Sequence, residues 1–369
     1  MRTVDPVRVG ILIDYVAETA TPAALIQSVF AFVARELREQ GVLERDVEFV
    51  TEAVKGLPEG SFRAVRDAYY RLVDAGCVAA FGPYISENGA PLREDVENLA
   101  EVPILTVAGT ETMLGEWVFG LPAGSMEEEP IIMAQVAWYD GCRSAGLVYE
   151  DSLIGHEYLR SARAACAALG IRVTGEVAVM QVEQEKRAAM AQLAEHKPDA
   201  ILHVGFGLGL LGINKALAEL GWMPRRYTTT AFEMASGNAM WRNEIAGWIG
   251  LDQYDERNEV ARDFFKRYNA ATGSTEVYYL PALWYDVGRM LLTAVATARP
   301  LTGRGVKEAL ERIKMMPAAT GAPGTRMRFG KFIRHGWVGS EFLVARRVLD
   351  DASAIVMHGT IEGLVPPAG

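Results

Sequence analysis

Cysteine is scarce in this chain, and Cys77, Cys142 and Cys166 form neither an even set nor a CxxC pair. That count argues against both a disulfide framework and a zinc knuckle. Histidine is equally thin, with five residues at 156, 196, 203, 335 and 358, too dispersed to suggest a metal cage. No HExxH, GxSxG or P-loop occurs, so the commonest catalytic signatures are missing. The longest apolar run, Ala200–Ile213, is too short to span a bilayer and holds His203 and four glycines. Positive charge is in deficit, with 37 Lys and Arg against 47 Asp and Glu, a net charge of −10. Such a surface repels phosphate backbones, so nucleic acid is not an expected partner. The start carries no leader pattern, since Arg2, Asp5 and Arg8 crowd it and Val9–Ile13 is only five residues before Asp14. The expectation is a soluble chain without direct membrane insertion. It would be cytoplasmic if Met1 is the native start, and periplasmic or cell-surface if a leader has been trimmed.

What is present is a long, regular alternation. A chain of 369 residues with half of them apolar is enough for two or three cores. Val7–Ile13 is β-branched, continuous and short, the pattern of a buried parallel strand. Pro22 opens a helix stopped by Gly41, and Val47–Val50 reads as a strand. A helix follows from Ser61 with Val65, Ala68, Tyr69 and Leu72 on one face. Cys77–Phe81, helix Glu87–Ala100 and strand Pro103–Val107 continue the series. The order then restarts: helix Pro130–Tyr139 precedes strand Ala145–Tyr149, and helix Glu157–Leu169 precedes strand Val173–Val179. Helix Gln184–Glu195, strand Ala200–Val204, helix Leu210–Leu220 and strands Tyr227–Ala231 and Trp248–Leu251 complete it. Two βα series predict an α/β fold of two doubly wound parallel-sheet lobes. The halves echo each other, Val9–Asp14 and Gly146–Asp151 each placing an acid where a strand ends. Three helices between Val260 and Ile313 and short β segments near Arg326–Phe329 and Phe342–Val348 come last. The tail from Asp350 reads as irregular, with Pro366-Pro367 at a solvated end.

The sharpest motif is Gly207-Leu-Gly209-Leu-Leu-Gly212, set between a strand and a helix with Glu233 about twenty residues on. That is a dinucleotide fingerprint, although it falls late in its lobe and has no hydride-transfer constellation beside it. The competing reading is a glycine-rich turn at a cleft. Glu127-Glu128-Glu129 at the start of a helix complements its dipole. Neither catalytic residues, metal ligands nor a cofactor are expected. Open α/β sheets bind ligands beyond the carboxyl ends of their strands. There Tyr15, Tyr84, Tyr149, Phe206 and Phe232 offer aromatic walls, Ser86 and Thr110 hydroxyls, Gly109 a backbone N–H, and Glu233 a receiver for a cation. Aromatic surface with a few polar anchors suits a small polar organic molecule.

Seven stretches, Gly41–Val47, Ala79–Pro83, Val102–Thr106, Val148–Ser152, Lys197–Ile201, Trp284–Asp286 and Thr320–Thr325, occur in an order that resembles a known family. From Val7 to Val348 the chain is similar to type I periplasmic binding proteins, in the leucine/isoleucine/valine-binding branch of ABC-transporter solute receptors. The resemblance implies two lobes, residues 1–124 plus 254–335 and 125–253 plus 336–369, joined by a three-segment hinge. It places the hinge near Leu121–Ser125, Gly250–Asp255 and Phe332–Trp337, with ligand trapped between the lobes. It matches Ser86, Gly109 and Thr110 to the loops that meet an amino-acid carboxylate, Glu233 to the acid that receives the ammonium, and Phe206 to an aromatic wall. Three departures stand out: Glu111 directly after Thr110, a longer turn at Phe206, and Ile154 where an aromatic is common. The ligand is therefore expected among amino acids, amides and aromatic acids. An ABC permease or a regulatory partner protein would be its consumer. A cytoplasmic ligand sensor of the same fold is the alternative, followed by a nucleotide-cofactor enzyme; a DNA-binding repressor is disfavoured because no helix-turn-helix fits before Val7.

Overall fold

The computed structural model describes residues 5–15, 22–179 and 183–359. Contacts divide the chain into two compact units. One runs to Ala123 and adds Glu256–Thr320 and Gly324–Gly339; the other comprises Gly124–Asp255, Gly321–Pro323 and the chain from Ser340 on.

The first unit is a five-stranded parallel sheet built from β1 (Val7–Ile13), β2 (Val47–Ala53), β3 (Ala80–Phe81), β4 (Ile104–Thr106) and β5 (Val118–Gly120), in the order β2-β1-β3-β4-β5. β1 is an interior strand between β2 and β3, and all of it but Arg8 is buried, as its unbroken apolar run requires. The expected strand Cys77–Phe81 pairs formally only over its last two residues, yet Val78 N already donates to Arg8 O at 3.0 Å. Helix Phe62–Asp74 starts where Ser61 Oγ accepts from Ala64 N and buries the face read from the sequence, Val65, Ala68, Tyr69 and Leu72. It approaches so closely that a Cβ on Gly10 would stand 2.9 Å from Leu72 Cδ1. The helix from Ser86 runs as α-helix to Asp95 and finishes in a π turn, Val96–Ala100.

The second unit repeats the plan. β6 (Ser144–Glu150), β7 (Arg172–Val179), β8 (Ala200–Val204), β9 (Arg225–Thr228) and β10 (Ile249–Asp252) are parallel in the order β7-β6-β8-β9-β10. Both units thus have their topological switch beside the first strand, β1 in one and β6 in the other. A small antiparallel sheet of β11 (Met316–Pro317), β12 (Arg326–Met327) and β13 (Trp337–Val338) belongs to the first unit. β14 (Val344–Val348) and β15 (Ile355–Gly359) extend the second sheet antiparallel from β10. That corrects the irregular tail expected from Asp350: Ile355–Gly359 is recruited by the free edge of β14, a tertiary pairing invisible to local patterning. Pro366-Pro367 lies outside the described residues. The expected strand Tyr227–Ala231 is also displaced, β9 ending at Thr228 and a 3₁₀ turn occupying Thr230–Ala235.

Candidate functional site

In the first unit the loops at the switch are tied together by one buried acid. Asp14, at the end of β1, accepts from Tyr84 N at 2.8 Å, Ile85 N at 3.0 Å and Asn88 Nδ2 at 2.8 Å. Burial pushes its carboxyl up, against the pull of those donors. Gly82 must be glycine in this loop, because its φ is +101° and a Cβ would lie 2.1 Å from Leu12 O. Tyr15 and Tyr84 meet with ring centroids 5.3 Å apart, and Tyr84 leans on Trp284 at 6.1 Å.

Ser86 heads the helix Ser86–Asp95, where the dipole is positive. It is buried, and its Oγ accepts from Thr110 N at 3.3 Å, so Ser86, Gly109 and Thr110 are brought together. Thr110 caps the short turn Glu111–Met113 with its own Oγ1. Thr106 Oγ1 donates to Pro83 O and accepts from Ala108 N, joining the two loops from below. Hydroxyls and a helix N-terminus in this arrangement suit a carboxylate. Glu111 is exposed, unlike its buried neighbour Thr110.

The second unit repeats the device. Glu150, at the end of β6, accepts from Phe206 N at 3.0 Å, Gly207 N at 2.8 Å and Gly209 N at 2.9 Å. Gly212 N donates to Glu244 Oε2 at 3.1 Å. The amides that a dinucleotide pyrophosphate would need are already held by protein carboxylates. The fingerprint is a turn wound around Glu150 and not a pyrophosphate cradle. Beneath it His203 is fully buried, its Nδ1 3.0 Å from Thr228 Oγ1, and burial depresses it to about 4, so it is neutral at neutral pH.

Phe206 is 43% exposed on this turn, and Tyr149 is half-buried with its ring 5.3 Å from His156. Phe232 is a correction. It is wholly buried in the core with Trp241, Ile245 and Trp248, and a Cβ on Gly250 would stand 2.4 Å from it. The 3₁₀ turn rotates it inward and offers no wall to a ligand.

Glu233, on the same turn, is 5% exposed and accepts from Gln253 N at 2.9 Å. Burial raises its carboxyl well above the ordinary range, and the nearby acids Asp252 and Glu129 raise it further. Glu129 lies in the first turn of the helix Glu128–Tyr139, as its dipole reading required, but it is not at the surface. It is fully buried and accepts from Ser125 N at 2.5 Å, Thr230 N at 2.6 Å and Tyr158 Oη at 2.9 Å, and burial pushes it up to about 7. Asp252 is pushed up to about 6 by burial, despite Arg346 Nε at 3.9 Å and donors from Tyr254 N and Ser236 Oγ. Asp14, Glu129 and Asp252 escaped the sequence reading as partners in the site. Asp14 left a signal as an acid ending the first strand, and Glu129 as part of the Glu127–Glu129 run.

The family model for periplasmic binding proteins matches residues 6–340. The chain belongs to the periplasmic binding protein family. As a periplasmic binding protein it binds a solute and performs no chemistry on it. Solved structures share the fold at low identity. A leucine binding protein of Thermotoga maritima MSB8 has a TM-score of 0.78 and 16% identity, over 96% of this chain and 98% of that one. An ABC transporter substrate-binding protein of Desulfitobacterium hafniense in complex with Leu gives 0.76 and 16%, over 94% and 98%. An ABC transporter solute binding protein of R. palustris in complex with benzoate gives 0.74 and 16%, over 96% of each. No curated protein shows significant sequence similarity to this one. Among the described residues no helix of this periplasmic binding protein is long and apolar enough to cross a membrane, and no group of His, Cys, Asp and Glu is arranged to hold a metal.

Proposed function

We propose that this chain is the solute receptor of an ABC importer, acting on the outer side of the cytoplasmic membrane. Its ligand is a small zwitterion, an amino acid with an apolar side chain. In this reading Ser86, Gly109 and Thr110 take the carboxylate and Glu233 takes the ammonium. Tyr15, Tyr84, Tyr149 and Phe206 border the apolar part. The observation that carries it is Glu233: a carboxyl 5% exposed that, among the described residues, has a single backbone N–H partner and is set beside two other acids. Arg346 stands 3.9 Å from Asp252, but among the described residues no cation is paired with Glu233 or Glu129, and a ligand ammonium would supply one. An aromatic acid or a neutral amide would leave Glu233 uncompensated.

Calorimetric titration of leucine, leucinamide and benzoate tests this. Glu233→Ala is expected to weaken leucine about ten- to hundred-fold, as for a lost hydrogen bond to a charged group. Benzoate, which carries no cation, should change far less. Equal losses for both would remove Glu233 from the ammonium site.

A further inference from the structure

The stretch from Arg312 to Arg334 holds six cations and no Asp or Glu, in a chain whose net charge is −10. At its far end β12 turns back through a two-residue hairpin, with Gly330 N donating to Ile333 O and Ile333 N to Gly330 O, both at 3.1 Å. Lys331 and Phe332 are the two central residues. Turns of this kind ordinarily hold Gly, Asn or Asp. Here the apex is a phenylalanine 89% exposed, which buries almost nothing, and Lys331 Nζ stands 5.5 Å from its ring centroid. Lys314 is fixed at the same hairpin by donating to Phe329 O. Lys314, Arg328 and Lys331 are exposed, and among the described residues none of them meets a carboxylate. Glu311, three residues before Lys314, is taken by Lys307 at 3.2 Å and Arg334 at 2.7 Å. Ile333 and Met315 are the adjoining exposed apolar residues.

We propose that the Gly330–Ile333 hairpin is a docking tip that seats the protein on an anionic lipid surface, with Phe332 entering the headgroup region and Lys314, Arg328 and Lys331 meeting lipid phosphates. A protein partner fits less well, because one projecting ring amid unpaired cations is not the broad apolar patch that protein interfaces bury. An aromatic flanked by cations is what a lipid interface takes up, and each cation near such a surface adds about five-fold to binding.

The test is co-sedimentation of the intact protein with phosphatidylcholine vesicles, with and without phosphatidylglycerol. The wild type should sediment with the anionic vesicles only, and added salt should release it. Phe332→Ser should abolish retention, and Lys314→Gln and Lys331→Gln should each weaken it about five-fold. Thermal midpoints and leucine titrations should be unchanged in all three variants, which separates this proposal from the reading of the solute site. Absence of retention on anionic vesicles would overturn the proposal, as would retention indifferent to Phe332. So would binding to soluble polyglutamate but not to vesicles, which would assign the tip to an acidic protein.

Discussion

Glu129 shows how much a single carboxyl's surroundings decide. It follows two other glutamates at a helix start, where sequence favours a solvated role, yet it is enclosed with three donors and held at about 7. Between its ordinary value of 4.5 and that value the folded protein binds its proton more tightly than the unfolded chain. Stability contributed by this group therefore falls as pH rises through that window. Asp252, raised from 3.8 to about 6, acts in the same sense. His203 and His335, both depressed from 6.5 to about 4 by burial, act in the opposite sense below pH 6.5. The difference between a variant and wild type isolates the glutamate. For Glu129→Gln the stability difference, variant minus wild type, should rise by about 3 kcal/mol between pH 4 and pH 8. Chemical denaturation at several pH values measures it, and a difference independent of pH would mean that Glu129 ionises normally. None of this was legible in the sequence, because burial of Glu129 is made by Tyr158 and Thr230, residues 29 and 101 positions away.

At the scale of elements, the echo between Val9–Asp14 and Gly146–Asp151 has a physical basis. In the first unit Asp14 grips the backbone of the loop after the third strand at Tyr84 and Ile85. In the second the grip on Phe206, Gly207 and Gly209 comes from Glu150, one residue before the echoed Asp151, which meets His156 instead. Each acid thereby fixes the loop that flanks its switch point. Glu150→Ala would leave three N–H groups without their acceptor and should cost about 2–4 kcal/mol of stability. In the same account saturating NAD leaves the thermal midpoint of the wild type unmoved. A stabilising shift with NAD would reinstate the fingerprint. Periodicity made the parallel strands and the buried face of helix Phe62–Asp74 readable. It failed at Thr230–Ala235, where a 3₁₀ turn replaced the end of the strand and packed the Phe232 ring into the core. A half-turn of backbone is below what a hydrophobic pattern can resolve.

For the whole molecule, family membership rests on the match over residues 6–340 and on a sheet order repeated in both units. The alternation of βα units in the sequence was enough to see two such lobes, because long apolar strands must be covered on both faces. Ligand identity was not similarly legible, since it depends on a handful of loop atoms. The account as a whole makes the protein a holder of one unaltered zwitterion through Glu233 and the Ser86 loop. Native mass spectrometry of the purified chain incubated with leucine, followed by release and weighing of the bound molecule, tests that most directly. The predicted result is one leucine per chain with its mass unchanged, lost in Glu233→Ala. Retention undiminished in that variant, a product of altered mass, or no retained zwitterion would contradict it.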